Sequence, residues 1–199
     1  MQFPPWIRKS PKLAAYLREL RTWFGDASVA IEFRHESWFD TDALADTLSL
    51  LRELPFVNVI LEEPDPQRTG LIPTVAEVTA SDAVYYRFQG RDQLKGKVTN
   101  QERHEYGSEE ISELAALVTR LHATGNADSF VVMHNNYSNN AVKAGMEMML
   151  VLRDRGAPVQ LAQERSPGIQ RRWEGYRNDC HRLEAGWNYQ YLQLARRLM

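Results

Sequence analysis

The chain has 199 residues, 43% of them hydrophobic and 25% charged, with a formal net charge of −2. That is enough for one sizeable core, and the near-neutral balance names neither a nucleic acid nor a membrane surface as partner. The single cysteine, Cys180, excludes an intrachain disulfide framework, and no apolar run is long enough to span a bilayer.

The opening MQFPPWIRKS lacks the charged-then-apolar layout of a signal peptide, so a cytoplasmic location is expected. Its cluster Phe3, Pro4, Pro5, Trp6 and Ile7 is too apolar for a frayed terminus and predicts a chain that starts within a larger fold. Ser10-Pro11 then predicts a helix start, a serine cap followed by a proline where its missing N–H does no harm. Leu13, Tyr16, Leu17, Leu20 and Phe24 follow at helical spacing, and Gly25 ends the element. VAIEFRH (29–35) alternates apolar and polar residues as a strand does. Thr41 or Asp42 caps a second helix with the stripe Leu44, Leu48, Leu51, and VNVILEEP (57–64) is a second strand.

Residues 64–82 show no helical period and predict a loop. AVYYRFQG (83–90) is a strand closed by Gly90, and the polar stretch 91–106 is a long connection of the kind that forms lids or stays disordered. Ser108, Glu109 and Glu110 open a helix carrying Ile111, Leu114, Leu117, Val118 and Leu121. SFVVMHNNY (129–137) is a further strand, and the stripe Ala141, Ala144, Met148, Leu152 a further helix.

Strands alternating with helices predict a parallel sheet, and in such sheets ligands sit at the carboxyl ends of the strands. If the apolar residues face the helices, the opposite faces carry Glu32 and Arg34, Asn58 and Glu62, Arg87 and Gln89, with Gln2 on a first strand. Asn135 joins them if Val132 faces outward. All would then line one shared mouth.

QFPPW (2–6), VAIEFRHESWF (29–39), EEP (62–64), VYYRFQGR (84–91), EYGSEEI (105–111) and VVMHNN (131–136) occur in that order. As a set they resemble the domain of unknown function 72 family, also called YecE-like, over roughly residues 1–155. The resemblance implies a TIM-barrel-like fold with these motifs at its mouth, of which this chain resembles the C-terminal part. The expected fold is therefore α/β: a partial (β/α) TIM-barrel-like parallel sheet with flanking helices (1–155) and a helical C-terminal extension (156–199). The family commonly has RFHGR where this chain reads Arg87-Phe88-Gln89-Gly90-Arg91, and glutamine does not titrate near neutrality. Ala144 stands where an asparagine is often found, and His134 where an aromatic residue is usual. The family supplies no established reaction.

Glu32, Arg34, Glu62 and Arg87 are two acids and two bases facing one space. They make a self-neutralising network, a catalytic or anion-binding cluster, or both, because a network can orient the residue that reacts. Glu32 and Glu62 lie on neighbouring strands about 4.8 Å apart, near the roughly 5–9 Å that suits paired carboxylates at a glycosidic bond. Trp38, Tyr85 and Tyr137 are the candidate sugar platforms. The expected catalytic set is Glu32, Glu62 and His35, with Glu32 the leading acid/base. Arg34, Arg87, Gln89, Arg91, Asn135 and Asn136 would bind the substrate, the arginines gripping an anion bidentately and the asparagines positioning it or stabilising a developing oxyanion. The structural alternative for Asn135 and Asn136 is to satisfy loop backbone groups.

His35, Glu62, Glu63 and His134 are suitable metal-ligand types. Glu32 and His35 would share an ion only if the chain turns at His35, and no metal is assigned. The cofactor is unknown. Arg34, Arg87, Arg91, Lys95, Lys97, Arg103 and His104 form a basic rim that suits a phosphorylated substrate or a nucleic-acid backbone, or simply a solvated lid. The expected activity is thus hydrolysis of a phosphoester or glycoside in a small polar or anionic substrate. The alternative is an inactive barrel fragment or binding module that needs a partner or a second copy, because four or five strands cannot close an eight-stranded barrel. The tail, with Ile169, Trp173, Tyr176, Cys180, Leu183 and Trp187 at heptad-like spacing, suits a dimer seam or an amphipathic helix docked on the domain.

Overall fold

Ser10 and Pro11 start the first helix as their chemistry demands: the Ser10 hydroxyl accepts from the Leu13 N–H at 3.2 Å, and proline takes the first turn. The computed structural model describes residues 1–62, 72–90, 103–125, 127–135 and 137–159. Helix α1 (Pro11–Phe24) ends at Gly25, whose φ of 53° a side chain would resist. Strand β1 (Ala30–Ile31) is shorter than the VAIEFRH alternation suggests, since the chain soon bends into a 3-10 helix (Glu36–Trp38). Helix α2 (Thr41–Glu53) takes Asp40 as its N-cap position, one residue before the expected threonine. Strands β2 (Val57–Leu61) and β3 (Ala83–Phe88) follow, then helix α3 (Ser108–His122), strand β4 (Asp128–Met133) and helix α4 (Asn140–Asp154). The expected extension lies outside the described residues from 160 onward.

The four strands form one parallel sheet in the order β1-β2-β3-β4. On the free side of β1 the N-terminal segment adds a parallel bridge at Gln2 and Glu32. There the Glu32 N–H donates to the Met1 carbonyl and the Phe3 N–H to the Glu32 carbonyl, each at 2.9 Å. The fold is α/β, a partial TIM-barrel-like sheet with helices against it.

Packing defines the two faces of this sheet. Ile60, Val84, Tyr86 and Phe88 bury against Ile111, Leu114, Ala115 and Val118 of α3 and Ala144, Met148 and Leu152 of α4. Ile31 and Phe33 bury with Leu17 and Leu20 of α1 and Leu50 and Leu51 of α2, where Phe33 stacks on Trp38 with ring centroids 3.8 Å apart. The opposite face holds a smaller cluster of Val57, Ala80 and Ala83, with Ala30 and Tyr85 against it.

Register corrects the expectation of one shared polar face. Paired residues of neighbouring strands project to the same side. Ile31 is paired with Asn58, so Asn58 belongs to the helix-facing side, and Ala30 with Val57 marks the inner side. Leu61 is paired with Arg87, and Arg87 with Val132, so these three are inner. Alternation carried one step past β2 sends Glu62 toward the helix layer. Since Val132 faces inward, Asn135 also leaves the inner set. Asn58 instead holds the returning chain: its Nδ2 donates to the Val75 carbonyl at 3.0 Å, and its N–H donates to the Thr79 hydroxyl at 2.8 Å.

Candidate functional site

The carboxyl ends of the strands carry two polar clusters. The inner one is centred on Glu32, which is 5% exposed. Arg87 Nη1 donates to both Glu32 carboxylate oxygens at 2.8 Å. Arg34 Nε lies 3.7 Å from the same carboxylate, and its side chain is 39% exposed. A buried carboxylate needs such partners, because desolvation otherwise costs several kcal/mol. This triad sets two guanidiniums against one carboxylate. It therefore carries a surplus positive charge, and Arg34 brings that charge to solvent.

The second cluster lies over the ends of β2, β3 and β4, and residues 104–106 tie it together. The Tyr106 hydroxyl donates to the Glu62 carboxylate and accepts the Gly90 N–H at 2.7 Å. Two residues earlier, the His104 carbonyl accepts from Asn135 Nδ2 at 2.8 Å and from Asn140 Nδ2 at 3.3 Å. The His104 ring stands edge-on to Tyr106, with Nε2 3.2 Å from both Glu110 oxygens. Carboxylates only accept, so the ring donates there. Glu110 in turn accepts from the Gly107 N–H at 2.9 Å and so caps α3. Glu62, His104, Tyr106 and Asn135 are all buried. Short parallel strands give these side chains fixed positions, and the strap formed by residues 104–106 locks three strand ends to one another.

The structure thus brings Glu32, Arg34 and Arg87 together in the inner cluster and Glu62 and Asn135 in the outer one. Gln89 follows β3 and is half-buried. Arg91, Asn136, Glu63, Lys95 and Lys97 lie outside the described residues. The chain does turn at His35, but the imidazole serves the turn itself, since Nδ1 accepts the Ser37 N–H at 3.0 Å and caps the 3-10 helix. With Nδ1 accepting, the neutral ring carries its proton on Nε2. Among the described residues no three His, Cys, Asp or Glu side chains gather closely enough to hold a metal ion. Sequence reasoning assigned no role to Tyr106 or Asn140, and gave Glu110 only the opening of its helix. EYGSEEI was visible as a motif, yet nothing in its spacing says that the tyrosine reaches back to β2.

These features define a class: a parallel α/β, TIM-barrel-like sheet with a charged polar site at its carboxyl ends. The family described as "Protein of unknown function DUF72" matches residues 1–170, and the chain belongs to that family. It is 30% identical over 159 residues to the UPF0759 protein YunF of Bacillus subtilis (strain 168), covering 76% of this chain and 56% of YunF. A crystal structure of a DUF72 family protein from Enterococcus faecalis V583 superposes with a TM-score of 0.68 at 28% identity, over 76% of this chain and 59% of that one. Another, from Thermotoga maritima MSB8, gives 0.65 at 28% identity, over 76% and 56%. The chain spans a little over half the length of these relatives.

Proposed function

We propose that the strand ends form a small-molecule site that binds a phosphate-containing anion and hydrolyses it. The observation that carries this reading is the surplus charge of the inner cluster, where Arg87 and Arg34 share the single buried carboxylate of Glu32. The Arg34 guanidinium, partly solvated, is the group available to grip phosphate.

The two acids take different roles in this proposal. Glu32, held by Arg87 through both oxygens, orients the arginines. Glu62, which accepts from the Tyr106 hydroxyl at the end of β2, is assigned the general base. It removes a proton from an attacking water as the water oxygen bonds to phosphorus. The P–O bond to the leaving alcohol breaks, and the proton returns to the alcohol oxygen. Gln89, Arg91 and Asn136 are assigned to substrate binding, and His35 to holding the turn that presents Arg34.

The test is hydrolysis of p-nitrophenyl phosphate against p-nitrophenyl glycosides. Glu62→Gln should lower phosphoester turnover by roughly 100-fold or more, the usual worth of a general base. Turnover of the glycosides alone, or a Glu62→Gln enzyme as active as the parent, would reject the assignment.

A second reading, a binding module that needs a partner or a second copy, is favoured by one observation. Phe130 pairs with Tyr85 on the inner face and is 51% exposed, so apolar surface on that face is open to a covering element. Light scattering decides it: a dimer mass favours the second copy. Among the described residues no helix is long and apolar enough to cross a membrane, and a cytoplasmic location belongs to this proposal.

A further inference from the structure

The inner face of the sheet carries two aromatic residues that the anion-binding reading does not use. Val59 is paired with Tyr85 and Tyr85 with Phe130, so the three project to one side at one level. Arg87 stands two residues after Tyr85 on the same strand, and therefore on that same side. Tyr85 is half-buried against Val57, Ala80 and Ala83, while Phe130 beside it is 51% exposed. A phenylalanine scattered alone on a surface is ordinary. This one adjoins a second aromatic residue and shares its face with a cluster of guanidiniums, because Arg87 reaches from here to Glu32, where Arg34 meets the same carboxylate.

Charge and spacing together say which molecule fits. Arg34 and Phe130 both reach solvent, the first with 39% of its side chain, so a ligand lies across the face without entering a buried cavity. The surplus charge around Glu32 takes a phosphate. An exposed phenylalanine takes a flat ring, since stacking uses the face that every nucleobase has. Phe130 lies one strand over from Arg87 and two residues before its level. That is about 4.8 Å across and roughly 6.6 Å along, a diagonal of about 8 Å between backbones. Arg87 then extends away from β4 toward Glu32, which lengthens the span. A phosphate bonded directly to a ring is too short for it, whereas a sugar set between the two supplies the length.

We infer that Phe130, backed by Tyr85, is a stacking platform for the base of a nucleotide whose phosphate lies on Arg34. The substrate class is therefore a nucleoside monophosphate, not a sugar phosphate or a bare anion. This rests on the anion-binding reading above and extends it.

Calorimetric titration with adenosine 5′-monophosphate and ribose 5-phosphate separates the two. Both carry the sugar and its phosphate, and only the first carries the ring. The parent chain should bind the nucleotide about tenfold more tightly, the order of one base stacked on one aromatic side chain. Phe130→Ser should erase that preference by weakening the nucleotide alone, Phe130→Tyr should retain it, and Arg34→Ala should weaken both ligands by a similar factor. Should Phe130→Ser fail to fold, as read by circular dichroism, Phe130→Leu, which keeps the apolar bulk and lacks the flat face, gives the same comparison. Equal binding of the two probes by the parent chain overturns the platform and leaves the anion reading standing. A preference that survives in the folded serine or leucine variant also overturns it. A parent chain that light scattering finds dimeric, and that Phe130→Ser turns monomeric, gives this face to a second copy and overturns the platform as well. Binding of neither probe overturns the anion reading and the platform with it.

Discussion

Replacing Arg87 with glutamine tests the inner cluster as a coupled unit. Two unit charges about 4 Å apart attract by roughly 4 kcal/mol at an effective dielectric near 20. Breaking a buried pair from one side typically costs about 3–5 kcal/mol, because the other charge stays behind. Here the carboxylate left behind has a side-chain exposure of 6%, so it cannot recover its hydration. Arg34 is nearby as a substitute at 3.7 Å, but it is partly solvated and worth at most about 1 kcal/mol. The expected cost of Arg87→Gln is therefore at the low end, about 3 kcal/mol. For a chain of 199 residues this lowers Tm by roughly 6–12 °C. Glu32→Gln should cost less, about 2 kcal/mol, because Arg87 is the more exposed partner at 15%. In a double-mutant cycle followed by urea melts, the pair should show a coupling of about 2 kcal/mol. Additive single effects, or an Arg87→Gln cost below about 1 kcal/mol, would refute the claim that Glu32 and Arg87 act as a coupled buried pair.

Tyr106→Phe removes the hydroxyl that serves both Gly90 and Glu62, and should cost about 1–3 kcal/mol in urea melts. An upfield shift of the Gly90 amide proton would mark the lost bond, and an unmoved resonance would contradict it. Tyr86→Phe should be neutral or stabilising at pH 8, because the Tyr86 hydroxyl is buried without a hydrogen-bond partner; Ser129 lies beside it but outside bonding geometry. Burial raises the Tyr86 pKa from 10.0 to about 12, so the folded state holds its proton longer than the unfolded one. Its contribution is complete below pH 10 and lost as pH rises to 12, and melts at pH 8 and 11 should show that loss in the parent and not in Tyr86→Phe. Ser10→Ala should cost about 1 kcal/mol through the lost cap at Leu13, visible as a lower urea midpoint with an unchanged slope.

The helices were legible because their signals are local. Ser10-Pro11 and the stripes of α1 to α4 depend on a period that one strand of text contains, and the structure places each helix within a residue or two of its stripe. The order of strands and helices likewise sufficed for a parallel sheet. The pairing of Glu32 with Arg34 and Arg87 was legible for a related reason, since all three alternate with core residues near strand ends.

The division of the polar residues into two clusters was not legible, and the reason is physical. Alternation assigns faces only when one face is apolar and the other wet. Strand β2 is buried at every position from Val57 to Leu61, on both sides, so its one polar member, Asn58, could be read either way. Only the pairing of Asn58 with Ile31 decides that it points toward the helices, and pairing is a relation between strands that no single strand encodes. Tyr106 was hidden in the same way. Its role depends on closure of the chain from residue 106 back to residues 62 and 90, across segments whose spacing carries no period. That distinction bears on the chemistry. A mouth with all its charges on one face would have put Glu32 and Glu62 side by side as an acid and a base. With the faces separated, Glu32 meets the guanidiniums on the inner side and Glu62 meets the Tyr106 hydroxyl on the helix side, so the two carboxylates sit in different surroundings.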